Sequence, residues 1–151
     1  MKYVMALDPG KTSGLSIFNR ETSEYNGYEL DFESTCATIA EWTTNVGEDL
    51  LVVCESFIIT AHTAKNTQAP WSLELIGVAR YFTRAYTGRD LVLQAPSAAK
   101  PFATDQRLKS MGWYLPGKGH ANDSARHLLL VMATRGWVSQ KQLAELVTPI
   151  K

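Results

Sequence analysis

Two short apolar runs, Tyr3–Leu7 and Leu50–Cys54, each end on a carboxylate, Asp8 and Glu55. Such a run, closed by a charged residue, reads as a buried strand whose polar tip sits at the sheet edge. A helical stretch lies between the two runs, which makes the strands parallel if they share a sheet. As neighbours about 4.8 Å apart, they would project the two carboxylates side by side. Anions paired at the rim of an apolar core repel each other and lose hydration, which is unfavourable unless a cation sits between them. Either residue also reads as a strand-end group capping a nearby helix. A third cluster is His120-Ala-Asn-Asp123-Ser-Ala-Arg-His127, in which positions 120, 123 and 127 fall on one helical face. A His and an Asp three residues apart can ligate one metal from a helix start, although a His there also serves as a cap or a partly buried group. Together these oxygen-rich donors favour a hard divalent cation, Mg²⁺ or Mn²⁺, over zinc. The Gly-flanked turn Asp8–Gly14 lacks the P-loop spacing and opens no helix, so a Walker-type phosphate cradle is excluded.

The elements that must position these residues follow from the pattern. Behind Tyr3–Leu7, a second strand over Gly14–Phe18 and a third over Tyr25–Phe32 come after tight connections, giving an antiparallel meander. Residues 33–46 read as a helix opened by Ser34 or Thr35. Leu50–Cys54 is apolar on both faces and belongs in the sheet interior. Trp71–Tyr86 is a strong helix, with Pro70 at its start and Gly88 as its C-terminal cap. Asp90–Gln94 is a fifth strand, followed by an irregular stretch. A helix then runs from about His120 to Arg135, stopped by Gly136. A last helix starts at Ser139, with Ser139 and Gln142 as a capping box and Val138 and Leu143 as a hydrophobic staple. The order β-β-β-α-β-α-β-α-α predicts a mixed α/β sheet flanked by helices.

The chain has 151 residues, 45% hydrophobic and 20% charged, the make-up of an ordinary globular domain, and no linker or repeat divides residues 1–151. Disordered, collagenous and repeat architectures are excluded, and no run approaches the ~18 apolar residues of a membrane span. The first apolar run is broken too early by Asp8 and Pro9 for a secretory signal. Cys36 and Cys54 lack metal-type spacing and are too few for a disulfide framework, which predicts a reducing, cytoplasmic setting. Net charge is zero, but its distribution is uneven. Residues 1–60 carry three basic groups against ten acidic, and residues 61–118 carry eight basic against three acidic. This polarity fits a basic face that attracts phosphates, and equally an unevenly solvated surface.

Several of these residues carry a family resemblance. Asp8-Pro-Gly-x-x-x-Gly14 is similar to the opening motif of RuvC-like Holliday-junction resolvases, within the ribonuclease H-like superfamily. Glu55-Ser-Phe57, followed by Asn66, Ser72 and Ile76-Gly-Val-Ala-Arg80, resembles the second block of that family. Ala98-Ala-Lys100 and then His120-x-x-Asp123-Ser-Ala resemble the third and fourth blocks. The matches are in order and span nearly the whole chain. Two positions depart from the pattern: His120 stands where the commonest form has Asp, and Tyr81 where a Gly usually follows Ala-Arg. The compact length suggests a bacteriophage member.

The resemblance implies a ribonuclease H-like sheet of five strands, three antiparallel and then parallel. It implies that Asp8, Glu55, His120 and Asp123 hold two metal ions about 4 Å apart, Mg²⁺ or Mn²⁺, for phosphodiester hydrolysis. Lys100, and with it Lys109 or Lys118, would neutralise charge developing on the phosphorane; all three also read as solvated surface lysines. Phe57 would stack on an unpaired base or pack in the core, and Lys65 and Arg107 join the basic residues facing DNA. His127, one turn beyond Asp123, reads as a supporting or packing group rather than a ligand. Trp71, Trp113 and Trp137 read as core or interface. The expected activity is a metal-dependent endonuclease that resolves four-way DNA junctions as a homodimer, since a two-fold dimer matches two equivalent scissile phosphates. Its rivals are a broader nuclease for flaps, forks or RNA–DNA hybrids, and an idle module that only binds nucleic acid or a protein.

Overall fold

The computed structural model describes residues 1–65 and 69–145; Asn66 lies outside the described residues. Three strands, β1 (Tyr3–Asp8), β2 (Thr12–Asn19) and β3 (Tyr25–Asp31), form the expected meander. Helix α1 (Phe32–Val46) leads through a 3₁₀ turn to β4 (Leu50–Glu55). Helix α2 (Ala69–Thr87) leads to the short β5 (Val92–Gln94). The sheet order is β3-β2-β1-β4-β5, with β1, β4 and β5 parallel and the β1–β2 and β2–β3 pairs antiparallel. The chain then forms α3 (Pro96–Phe102), α4 (Asp105–Met111), α5 (Gly119–Thr134) and α6 (Gln140–Glu145).

Because successive strand residues point to opposite faces, the apolar β1 feeds two cores. Val4 and Ala6 join Leu51 and Val53 of β4 beneath Leu128 and Leu129 of α5. Met5 and Leu7 join Val52 and Cys54 beneath Ile39 of α1 and Leu75 and Ala79 of α2. Covering on both faces explains why β1 and β4 are continuous apolar runs rather than alternating ones.

Several boundaries differ from the sequence reading, each for a local reason. Helix α1 is capped by Asp31, whose carboxylate accepts from the Ser34 N–H at 2.7 Å, so neither Ser34 nor Thr35 opens it. The stretch read as irregular holds α3 and α4. Pro96 starts α3, and Thr104 caps α4 by accepting from the Arg107 N–H. The capping box of α6 is present, with Ser139 N–H donating to Gln142 Oε1 at 2.8 Å and Gln142 N–H to Ser139 Oγ at 3.0 Å. Trp113 is core, stacked on Tyr25 at 4.8 Å, whereas Trp71 meets the edge of Phe32 and Trp137 lies under the Arg20 guanidinium. Among the described residues no helix is long and apolar enough to cross a membrane.

Candidate active site

Strands β1 and β4 pair in parallel with Leu7 opposite Cys54, so the next residue on each, Asp8 and Glu55, stands at the same sheet edge. Asp8 also pairs with Gly14 across the β1–β2 hairpin. The turn between them is held by Ser13, whose Oγ accepts from the Gly10 N–H at 3.1 Å, and by Ser72 of α2, whose hydroxyl donates to the Pro9 carbonyl at 2.9 Å. Above the hairpin, the first turn of α5 rests on Gly14, where a methyl group would run into the backbone of His120 and Ala121. Gly14 is required here for close approach rather than for an unusual φ. The contact carries His120 to Asp8: imidazole Nδ1 donates to Asp8 Oδ2 at 3.0 Å. No side chain at the helix's own N-cap position, Lys118, caps it. Instead Glu29 of β3 reaches across and accepts the His120 N–H at 3.0 Å.

The remaining members converge from three directions. Asp123, one turn into α5, accepts from Arg126 Nε at 3.1 Å, and Lys100 Nζ of α3 lies 3.9 Å from its other oxygen. Arg126 also binds Asp105 and the Ala103 carbonyl, tying α5 to the α3–α4 connection. Glu55 accepts from Nε2 of the buried His127 at 2.8 Å. Burial first, and then the charge of Glu55, with a further push from Asp123, raise the Asp8 carboxyl to about 6; the His120 hydrogen bond offsets this only in part. The three carboxylates therefore hold more negative charge than the site itself neutralises.

This fold has a solved counterpart. No family model and no curated protein matches the chain. Among solved structures, it is similar to T. thermophilus RuvC in complex with Holliday junction substrate, at 16% identity and a TM-score of 0.65, over 90% of this chain and 97% of that one. The fold is RuvC-like.

Within that fold, Asp8, Glu55, His120, Asp123 and Lys100 meet at the carboxyl edge of β1 and β4. They do not make a ready coordination shell. Among the described residues no three of the His, Cys, Asp and Glu side chains are arranged to hold one ion. Each carboxylate has a partner of its own: Asp8 meets His120, Glu55 meets His127, and Asp123 meets Arg126. The donor chemistry nevertheless fits a hard divalent cation, because three carboxylates with a surplus of negative charge are what such an ion neutralises.

The proposed DNA-facing residues are dispersed. Lys65 ends an exposed 3₁₀ turn and Lys118 is exposed just before α5. Arg107 lies over the Phe102 ring and donates to the Phe102 carbonyl, and Lys109 lies 4.7 Å from the Tyr114 ring. Phe57 is half-buried against the α1–α2 core, while the next two residues, Ile58 and Ile59, are 60% and 66% exposed. Sequence reasoning missed Glu29, Gln94 and Arg126. Arg126 stands three residues from Asp123, a readable helical spacing, and Gln94 ends its strand as Asp8 and Glu55 end theirs. For Glu29, 91 positions from His120, the sequence held no signal.

Proposed function

We propose that the chain is a metal-dependent endonuclease that cleaves branched DNA, with the four-way junction as its preferred substrate. The observation that carries this reading is the trio of Asp8, Glu55 and Asp123, a surplus of carboxylates at one sheet edge of a RuvC-like fold. The neighbour of that fold was solved with a Holliday junction substrate. Mg²⁺ or Mn²⁺ bound among these carboxylates would supply Lewis-acid activation of water and charge neutralisation at the scissile phosphate. Asp8 and Glu55 offer their oxygens from strand tips and Asp123 from the first turn of α5. His120 holds Asp8 in place and offers a nitrogen donor. Lys100, with 59% of its side chain exposed beside Asp123, presents a cation to an incoming phosphate. Lys118, next to the same helix start, extends that positive surface. Cleavage of labelled four-way, flap, duplex and hybrid substrates, with each metal and with chelator, tests the assignment. Metal-dependent cutting of the junction ahead of the other three is the expected result; no cutting of any substrate sinks it.

The imidazole at position 120 sets a metal preference. A neutral nitrogen donor in place of a carboxylate lowers the site's negative charge by one, and Mn²⁺ accepts imidazole more readily than Mg²⁺ does. Cleavage is expected to be faster with Mn²⁺, and His120→Asp to narrow the gap. Initial rates in both metals check this. An unchanged ratio in His120→Ala would leave His120 as a brace for Asp8 alone.

The homodimer is proposed through α2. Leu73 and Tyr81 are 41% and 64% exposed on this helix, and the exposed Ile58 and Ile59 precede it. Exposed apolar residues at i and i+8 lie on one face of a helix and mark a contact surface. Light scattering at micromolar concentration should give twice the chain mass for the wild type. It should give the chain mass for a Leu73→Asp/Tyr81→Asp double variant. A wild-type monomer, with or without DNA, excludes the interface.

A further inference from the structure

His127 is 1% exposed, on the core-facing side of α5 between β4 and β5. Burying an imidazole is costly unless both nitrogens find partners, and an apolar side chain would fill the same space without that demand. Both nitrogens do find partners here, and neither partner is incidental. Nε2 donates to Glu55 Oε2 at 2.8 Å, and Oε1 of Gln94 lies 3.0 Å from Nδ1. Gln94 is the register partner of Glu55 on the adjacent strand, and its carbonyl accepts the Ser56 N–H at 2.8 Å. The ring is thus clamped between two neighbouring strand tips, with one edge on each. The Glu55 carboxylate takes its hydrogen bond from His127, whereas Cys54 Sγ reaches only the Glu55 backbone carbonyl. A glutamate at a strand tip has three rotatable bonds, and holding one oxygen selects the rotamer that presents the other.

We propose that His127, clamped by Gln94, is a positioning residue that holds Glu55 in the orientation from which it ligates the divalent cation. The inference rests on the endonuclease reading for the metal, but concerns this chain's own residues. Leucine at 127 retains bulk and removes the hydrogen bond. Glutamine places an amide N–H near the position of Nε2 and restores it. Direct Mn²⁺ titration without DNA, followed by electron paramagnetic resonance on the folded protein, reads the effect independently of catalysis. H127L is expected to bind Mn²⁺ about tenfold or more weakly, H127Q to recover most of the loss, and junction affinity in chelator to stay at the wild-type value in both. Gln94→Leu, which releases the far edge of the ring, should weaken Mn²⁺ in the same direction by a smaller factor. It carries the test if H127L does not fold. Wild-type Mn²⁺ affinity in H127L, or in Gln94→Leu should H127L not fold, overturns the positioning role and leaves the endonuclease reading intact. A wild-type protein that binds no Mn²⁺ overturns both.

Discussion

Asp8→Asn should abolish junction cleavage and at the same time make the metal-free protein harder to unfold. The two effects have one cause. Asp8 is nearly buried, and desolvation together with the charge of Glu55 raises its carboxyl from 3.8 to about 6 in the folded chain. An acid whose folded pKa lies above its unfolded value binds its proton more tightly when folded. Stability from this group is therefore full below about pH 4 and falls as pH rises between about 4 and 6, after which the whole penalty remains. A shift of about two units corresponds to roughly 3 kcal/mol at neutral pH. Asparagine keeps an acceptor for His120 Nδ1 and carries no charge, so it removes the penalty. In chelator near pH 7.5 its melting temperature should exceed the wild-type value by about 5 °C or more, and the gap should close towards pH 4. Added Mn²⁺ should raise the wild type more than the variant, since only the wild type retains the full ligand charge. Junction binding should survive in the variant, because the substitution leaves every Lys and Arg in place to meet phosphates. Differential scanning calorimetry across pH, paired with a cleavage assay, checks each part. Equal melting temperatures at neutral pH would mean that the Asp8 charge is compensated within the fold. Retained cleavage would remove Asp8 from the site.

What could be read in advance was the part encoded locally. Asp8 and Glu55 were visible as strand-tip carboxylates because the runs before them are apolar on both faces. His120 and Asp123 were visible because a helix brings such a spacing to one side. Their partners were not visible. Glu29 meets His120, and His127 meets Glu55 and Gln94, only after the sheet order β3-β2-β1-β4-β5 has been set. Helices α3 and α4 escaped for a different reason. Each has seven residues, too few for an apolar period to declare itself, and Pro101 stands inside the first. Their formation gives nearby cations aromatic partners. Arg107 and Lys109, proposed to face DNA, lie over the rings of Phe102 and Tyr114. Composition records how many charges a segment carries, and folding decides which of them an aromatic ring takes up.

Gly14→Ala should damage both stability and cleavage, although it adds a single methyl group. At most positions where glycine has an ordinary φ, alanine is neutral or stabilising. Here the added Cβ points at the carbonyl oxygen of His120 and the amide of Ala121, which are backbone atoms of the first turn of α5 and cannot swing aside as a side chain would. Helix α5 has to lift from β2. That movement strains the buried hydrogen bond between Ser16 of β2 and Ser124 of α5, 2.6 Å long, and the Leu128 and Leu129 packing beyond it. Overpacking of this kind costs about 1–3 kcal/mol. The consequence for cleavage is larger, because α5 carries His120 and Asp123 while the sheet carries Asp8 and Glu55. A displacement of about 1 Å between groups that must act together lowers rates by roughly a hundredfold. Thermal unfolding of Gly14→Ala should therefore fall by several degrees, with cleavage about two orders of magnitude below wild type and Mn²⁺ binding weakened alongside. The pairing of these losses is the diagnostic feature: the hairpin glycine is the seat on which the helical half of the site is aligned with the strand half. Cleavage at the wild-type rate in a variant that melts normally would show that α5 can rise without disturbing the site, and that Gly14 sets only the turn.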